Sequence, residues 1–474
     1  MTNTVSNDKI SGKTKWSFAV GGFGKDMMYA MSPLMFIFFT EYVMISAGIV
    51  GIMIMIARVW DAVNDPIMGT IVDNTRSRFG KFRPWIFTGS VINTVVLLFV
   101  YFKPELDPNS AAMVAYISIF YVLWGMSYTL MDIPFWSLIP TLSQDQKERE
   151  GITVIARVFT NIGGFIITGG WPVIVVLLGG GAGRPEQVKG FFTLAVIVSV
   201  VFLLTQMLVC KNVKERHTAL DQPKITLKKM LGLLKQNDQL LVVMVAVVIF
   251  NFAIYITSTM AVYFFKYDLN RAGTMDTEAI QLLLTAFLGI GGIFLICAML
   301  AYPLFTKFFK RRQIFNLTIF LSIAGYLGFL ATSFFFNNSL YILFPVGIVV
   351  FIGFGLAMVL QTVLLTDTVE YGQWKLGHRS ESITFSVQTF VVKLATGLAS
   401  GVVGVGLTAV GFKADMVQAL STVFGMRVLM FVIPIIALLI ALYIFNKYHI
   451  LDENKYNAIV REIKTGKGVN ALPQ

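Results

Sequence analysis

The chain has 474 residues, of which 56% are hydrophobic and only 14% are charged, and its mean hydropathy is +0.73. A soluble protein of this length carries about 25% charged residues, so the composition excludes an ordinary soluble globular fold. The net charge of +12 does not indicate nucleic-acid binding, because most Lys and Arg fall in one set of loops, as on the cytoplasmic side of membrane proteins.

Apolar runs recur from one end of the chain to the other. A bilayer core about 30 Å thick requires roughly 20 apolar residues per helix. The runs are longer and more continuous than the alternating strands of about ten residues that build a membrane barrel. They predict an all-α membrane protein with twelve transmembrane helices, near residues 14–41, 46–73, 84–103, 111–141, 152–180, 190–210, 237–266, 277–306, 313–334, 339–370, 380–411 and 422–446.

The longest polar connection, residues 211–236, divides these spans into six and six. The predicted regions are an N-terminal six-helix bundle (1–210), a cytoplasmic middle loop (211–236), a C-terminal six-helix bundle (237–447) and a cytoplasmic tail (448–474). Two bundles joined by a cytoplasmic linker are typical of transporters built from related halves.

The basic residues predict the orientation in a cell membrane. The loops assigned to the outer side hold few of them: Lys103, Arg184, Lys189, Lys266, Arg271 and Lys413. Both termini are therefore expected in the cytoplasm. The first 15 residues are polar and the apolar run behind them is too long for an h-region, so no cleavable signal peptide is predicted. Cys210 and Cys297 both lie in spans and predict neither a disulfide framework nor a metal site.

Several charges remain inside the spans, where each costs about 2.5–3.5 kcal/mol. Their sum would exceed a typical total stability of about 5–15 kcal/mol. They must therefore face a wet cavity, pair with one another, or both; ion pairs that only hold helices together are the structural alternative. The charges are Lys25, Arg58, Arg157, Lys393, Asp26, Asp61, Asp65 and Asp132, with Arg427 nearer the membrane interface.

Span 1 carries GGFGKD, residues 21–26. It departs from a phosphate-binding loop, because position 19 is Ala and Asp26 stands where Ser or Thr is needed. The chain therefore lacks the motif of an ATP-driven transporter. We expect the glycines to allow close helix approach, with Lys25 and Asp26 projecting into the interior.

Span 2 carries RVWDAVNDP, residues 58–66. Asp61 and Asp65 are spaced i, i+4 and share a helix face with Asn64 and Arg58. Two carboxylates and an amide offer hard oxygen ligands, and a monovalent cation relieves the repulsion between the acids. The stretch predicts a site for sodium, lithium or a proton.

Span 4 reads WGMSYTLMDIPFWSLIP, which places Trp124, Tyr128, Asp132 and Trp136 on one helical stripe. A carboxylate accepts hydrogen bonds from adjacent sugar hydroxyls, and an indole covers the apolar face of a pyranose. The stripe predicts sugar binding; an aromatic packing stripe with one buried acid is the alternative. Thr129 can point toward span 2.

Spans 5 and 11 supply Arg157 and Lys393, two cations able to bond the carboxylates or sugar hydroxyls. Gln388 and Thr389 precede Lys393, and Thr389 shares its helix face at i−4.

Three motifs resemble motifs of the glycoside–pentoside–hexuronide:cation symporters: WDAVNDPIMG, DNTRSRFGKFRPW and YTLMDIPFWSLIPTL. Three further segments are most similar to the melibiose permease branch: GKD, DTVEYG and SVQTFVVK. The resemblance covers nearly the whole chain. It implies a major-facilitator-type fold and uptake of a galactoside such as melibiose with a sodium, lithium or proton by alternating access. It implies no cofactor, and a regulatory phosphotransferase-system protein is a further expected partner on the cytoplasmic face.

The resemblance also implies roles for individual residues. The cation site is expected at Asp61, Asn64, Asp65 and Thr129. Sugar contacts are expected at Lys25, Asp26, Tyr128, Asp132, Trp136, Arg157, Gln388, Thr389 and Lys393. A cytoplasmic gate is expected at Asp73, Arg76, Arg78 and Arg83.

One departure and several alternatives stay open. Met358 stands where melibiose permeases place a Trp, three residues before Gln361, which leaves the aglycone preference undecided. The chain could carry another glycoside, a pentoside or a hexuronide, or act as an uncoupled uniporter, although Asp61 and Asp65 favour coupling. A membrane sensor or enzyme is disfavoured, because the sequence shows no nucleophile–base pair and no metal-spaced His cluster.

Overall fold

The computed structural model describes residues 9–143, 145–215, 232, 235–271, 273–336, 338–377 and 381–465. Within these ranges the regular structure is entirely helical. The chain folds into two compact units. Unit 1 comprises Met1–Lys224 and Thr277–Thr285, and unit 2 comprises Ile225–Asp276 and Ala286–Gln474.

Six long helices form the main part of unit 1. They are α1 (Gly12–Ile37), α2 (Ala47–Asp73), α3 (Arg83–Tyr101), α4 (Ala111–Ser137), α5 (Gln146–Gly179) and α6 (Arg184–Asn212). Serine caps fix where two of them begin: Ser11 Oγ accepts from the Thr14 amide at 3.2 Å, and Ser110 Oγ accepts from the Met113 amide at 3.2 Å. Each cap satisfies an amide that the first helical turn leaves without a partner.

Helix α1 packs closely against α5 and α6. A Cβ added to Gly21 would lie 2.2 Å from Val209 Cγ2, and one added to Gly24 would lie 2.0 Å from Thr205 Oγ1. Both separations are far below van der Waals contact, so any side chain at these positions would push the helices apart. The prediction that the glycines of GGFGKD allow close helix approach is confirmed.

Helix α4 packs against α2 and α3, and α3 also packs against α6. At Gly89 on α3, an added Cβ would lie 2.8 Å from the Met131 amide nitrogen of α4. The backbones of α3 and α4 therefore approach closely at this point.

Unit 2 contains the remaining helices. They are α7 (Asp238–Tyr263), α8 (Thr277–Phe308, which starts in unit 1), α9 (Arg311–Phe335), α10 (Leu340–Leu376), α11 (Glu381–Ala409), α12 (Leu420–Tyr448) and the short α13 (Glu453–Lys464). Helix α7 packs against α10, α11 and α12, and α9 packs against α10 and α12. Helix α13 lies against the end of α10, where Leu451 and Ile459 pack with Tyr371.

Arg427 forms a buried ion pair near the start of α12, and its expected position near the membrane interface stays a prediction. Its guanidinium forms two hydrogen bonds of 2.7 Å with the Asp268 carboxylate and lies over the Phe334 ring. The Arg427 side chain is 12% exposed and that of Asp268 is 1% exposed. A bidentate pair neutralises both charges, which permits their burial. The sequence did not single out Asp268, because it lies just beyond the predicted end of its span.

In the described part of the chain, ten helices are long and apolar enough to cross a membrane. Helices α1 and α2 have similar lengths and carry buried charges, among them Lys25, Arg58 and Asp61. Together these are the twelve long helices expected from the sequence. The protein is therefore an all-helical, multi-pass membrane protein.

Candidate functional site

Lys25 is the centre of a polar cluster between α1 and α4. Its ammonium lies 2.8 Å from Asp26 Oδ1 and 2.8 Å from Asp132 Oδ1, and it donates a hydrogen bond of 3.1 Å to the Tyr128 hydroxyl. The Lys25 side chain is only 6% exposed, whereas the two carboxylates are 26% and 31% exposed. The buried cation therefore holds two acids whose side chains remain partly exposed.

Trp136 lies beside this cluster between two cations. The Lys25 ammonium is 5.3 Å from the ring centroid and the Arg157 guanidinium is 4.2 Å from it. Cations favour the electron-rich face of an indole. The exposed Arg157 side chain lies over this ring, and its expected bonds to a carboxylate or to sugar hydroxyls stay a prediction.

Three aromatic rings continue the cluster along α1 and α4. Trp124 and Tyr128 stack with centroids 5.6 Å apart, and Tyr29 of α1 lies 5.2 Å from Tyr128. Trp124 is 1% exposed, so it supports Tyr128 from behind. Sequence reasoning missed Tyr29, although its i+3 spacing from Asp26 places it on the same helix face.

Asn93 of α3 fixes the backbone of α4 behind these rings. Its amide donates to the Trp124 carbonyl at 2.9 Å and to Ser127 Oγ at 2.8 Å. Asn93 is fully buried. The sequence signal was an amide in an apolar span. The partners of Asn93 could not be predicted, because the alignment of α3 along α4 is set only in the tertiary structure.

A second polar cluster joins α2 to α1 and α4. Arg58 Nη1 lies 3.2 Å from Asp61 Oδ2, and Nη2 donates to Ser32 Oγ at 2.7 Å. Thr129 Oγ1 donates to Asp65 Oδ1 at 3.1 Å. The structure thus brings together the acids of RVWDAVNDP and the predicted Thr129.

The donor set of this second cluster fits a monovalent cation. Asp61 and Asn64 are 5% and 4% exposed, and their i, i+3 spacing places both side chains on one face of α2. A Cβ added to Gly125 would lie 2.8 Å from Asp61 Oδ1, so the α4 backbone closely approaches this carboxylate. Carboxylate, amide and hydroxyl oxygens are ligands for hard cations. Arg58 balances one of the two acids, Asp61 and Asp65, which leaves one negative charge.

The remaining predicted sugar contacts lie in unit 2. Gln388, Thr389 and Lys393 are on α11, with Thr389 exposed and the other two half-buried. Met358 of α10 is 42% exposed. The roles assigned to these side chains stay predictions. Over the described residues, no three His, Cys, Asp or Glu side chains converge to form a metal site.

The predicted gating loop is anchored to the end of α6. Arg83 Nε donates to the Cys210 carbonyl at 2.7 Å. Glu215 accepts from the backbone amides of Lys81 at 2.9 Å and Phe82 at 2.8 Å. Sequence reasoning placed Glu215 in the middle loop without a role, because its partners are backbone amides that no side-chain pattern reveals.

The other residues of the predicted gate are Asp73, Arg76 and Arg78. Arg76 and Arg78 are exposed, and Arg78 lies over the Phe79 ring. The Asp73 side chain lies outside the described part of the structure. The gate therefore stays a prediction.

The fold is similar to those of solved transporters. A bacterial homologue of the human lysosomal transporter Spinster, in an inward-facing, unoccupied conformation, matches with a TM-score of 0.65 at 14% identity, covering 94% of this chain and 97% of that one. A D-xylose-proton symporter matches with a TM-score of 0.60 at 15% identity, covering 90% and 96%. At these identities the likeness concerns the fold.

The family model described as MFS/sugar transport protein matches residues 17–452. A lactose permease of Lactobacillus delbrueckii subsp. bulgaricus is 33% identical, over 96% of this chain and 73% of the relative. An isoprimeverose transporter of Lactiplantibacillus pentosus is 28% identical, over 88% and 84%. A raffinose carrier protein of Pediococcus pentosaceus is 27% identical, over 96% and 72%. The chain therefore belongs to the MFS/sugar transport family and is a cation-coupled sugar symporter of the glycoside–pentoside–hexuronide type.

Proposed function

We propose that this symporter takes up a galactoside, with melibiose as the first candidate, together with one sodium, lithium or proton. The observation that carries the proposal is the position of Lys25 between Asp26 and Asp132, next to Trp136. Carboxylates accept hydrogen bonds from neighbouring hydroxyls, and the indole offers a flat apolar face to the sugar ring. The lactose and raffinose relatives support a galactoside, since both sugars contain galactose.

Charge balance supports different roles for the two clusters. In the sugar cluster, Lys25 and Arg157 balance the two acids Asp26 and Asp132, so a neutral sugar can bind without adding charge. In the cation cluster, Arg58 leaves one negative charge on Asp61 and Asp65, which a monovalent cation neutralises. Opposite charges held within a few ångströms in a low-dielectric site interact strongly.

Helix α4 connects the two clusters. Thr129 binds Asp65 on one side, and its neighbour Tyr128 binds Lys25 on the other. A cation that draws Thr129 toward α2 would therefore change the setting of Tyr128 and Asp132. Couplings between two such sites are usually about 1–3 kcal/mol, equivalent to about 5–150-fold in affinity, and they are reciprocal.

A pentoside is the second candidate, because the isoprimeverose transporter is 28% identical over 88% of the chain. We further propose that the protein lies in the cell membrane with both termini in the cytoplasm. A regulatory phosphotransferase-system protein at the cytoplasmic face stays a prediction.

Transport by purified protein in proteoliposomes tests the proposal. We would measure uptake of labelled melibiose under an inward sodium, lithium or proton gradient, with and without a collapsing ionophore. Competition by lactose, raffinose, isoprimeverose and glucose would rank the substrates. We expect accumulation only with one of these gradients and competition by galactosides. Uptake that isoprimeverose blocks and galactosides do not would favour the pentoside; no cation-dependent uptake of either would contradict the assignment.

A further inference from the structure

We propose that Tyr29 is a specificity-determining residue whose ring binds the second ring, or aglycone, of the transported glycoside. The inference rests on the proposed function and extends it to sugars of more than one ring. Its basis is a second aromatic surface beside the Lys25 cluster. Trp136 offers one ring next to Lys25. Lys25 also bonds the Tyr128 hydroxyl, and the ring of Tyr29 packs against the ring of Tyr128.

Exposure distinguishes Tyr29 from the rings around it. Trp124 is 1% exposed and Tyr128 is 7% exposed, whereas Tyr29 is 38% exposed. Tyr29 lies 5.2 Å from Tyr128 and 6.5 Å from Trp124, with interplanar angles of 38° and 28°. The two buried rings therefore fix its orientation, and Tyr29 presents its own surface to a ligand. An aromatic surface held in one orientation loses little entropy when it binds.

The exposed surface of Tyr29 belongs to the polar interior of unit 1. Tyr29 follows Lys25 by four residues and Asp26 by three, so all three share one face of α1. Asp26 pairs with Lys25 at 2.8 Å and keeps 26% of its side chain exposed on that face. A ring that faced lipid would not lie among these charged groups, which are placed away from the hydrocarbon.

The Tyr29 hydroxyl is available for recognition. In the part of the chain that the structure describes, it makes no hydrogen bond. A tyrosine offers both an apolar ring and a polar tip, which suits a sugar ring with an apolar face and hydroxyls at its edge. A monosaccharide that fills the space between the carboxylates and Trp136 would not require Tyr29. A disaccharide has a second ring that Tyr29 can contact.

The test compares ligands with one ring and with two. Affinities of galactose, methyl galactoside, melibiose and lactose would be measured by competition against a labelled galactoside in proteoliposomes, for wild type, Tyr29→Leu and Tyr29→Phe. Tyr341→Leu is the matched control, because Tyr341 is 93% exposed on α10. An aromatic contact contributes about 0.5–1.5 kcal/mol. Tyr29→Leu should therefore weaken the two-ring sugars by roughly two- to twelvefold. The one-ring sugars should change less than the two-ring sugars in the same variant, and Tyr29→Phe should keep most of the two-ring preference.

Two results would overturn the proposal. An equal loss for one-ring and two-ring sugars would make Tyr29 a packing residue, and unchanged affinities for all of them would remove it from the site. If wild type binds no galactoside, the proposed substrate is wrong, and the same comparison then uses xylose and isoprimeverose, so that the two failures remain distinct.

Discussion

Replacing Asp132 by Asn should greatly weaken sugar binding while leaving the protein folded. Asp132 shares the Lys25 ammonium with Asp26, each at 2.8 Å. After the substitution Lys25 keeps Asp26, so the buried ammonium remains paired and the fold loses little. The ligand, by contrast, loses a charged acceptor on the open side of the cluster.

The size of the effect follows from the hydrogen bonds at stake. A hydrogen bond to a charged group contributes about 1.5–3 kcal/mol, and 1.4 kcal/mol corresponds to a tenfold change in affinity. Loss of one such bond should lower sugar affinity about 10- to 150-fold. Because Asn also replaces an acceptor by a donor, a sugar hydroxyl that donates to Asp132 would face an unmatched group, so the larger value is expected.

Equilibrium binding of a labelled galactoside to the purified protein measures this change, with the thermal unfolding midpoint as the control for folding. Asp65→Asn is the matched acid-to-amide control, since it lies in the cation cluster and should leave sugar affinity in cation-free buffer within about threefold. If Asp132→Asn retains wild-type affinity with an unchanged unfolding midpoint, Asp132 does not bind the sugar and the assignment of the Lys25 cluster is wrong.

Other substitutions test the remaining contacts. Trp136→Ala should weaken galactoside binding more than sodium binding, because indole supplies a flat surface and no cation ligand; equal losses in binding assays would make it a packing residue. Asp61→Cys or Asp65→Cys should abolish sodium, lithium or proton stimulation of sugar affinity and uphill accumulation in vesicles, while much cation-free sugar affinity and exchange remain; normal accumulation in both would place the cation elsewhere. Gly125→Ala should lower cation stimulation, since the added methyl would lie 2.8 Å from Asp61 Oδ1, and an unchanged cation dependence would show that α4 yields without effect. Glu215→Ala removes the acceptor of two loop amides and should raise labelling of a cysteine placed in that loop, whereas Glu215→Gln should raise it less; equal labelling in all variants would contradict the anchoring role.

The sequence by itself determined the class of fold and most members of the two clusters. Low charge and long apolar runs admit only membrane helices, because backbone groups in lipid must be satisfied within the segment. Charges in such runs are costly, so Lys25, Arg58 and their acidic neighbours stood out as site residues without any structure. Helical spacing alone placed Asp61 and Asp65 on one face.

Only the tertiary structure decided which side chains meet. Residues on different helices have no fixed register in the sequence, so it could not show that Lys25 bridges Asp26 and Asp132 or that Asn93 holds α4. Burial likewise depends on all neighbouring helices: it separates Trp124, which supports the cluster, from Tyr29, which is open to a ligand. Glu215 makes the same point, because its partners are backbone amides, which every residue except proline carries and which therefore leave no signal in the sequence.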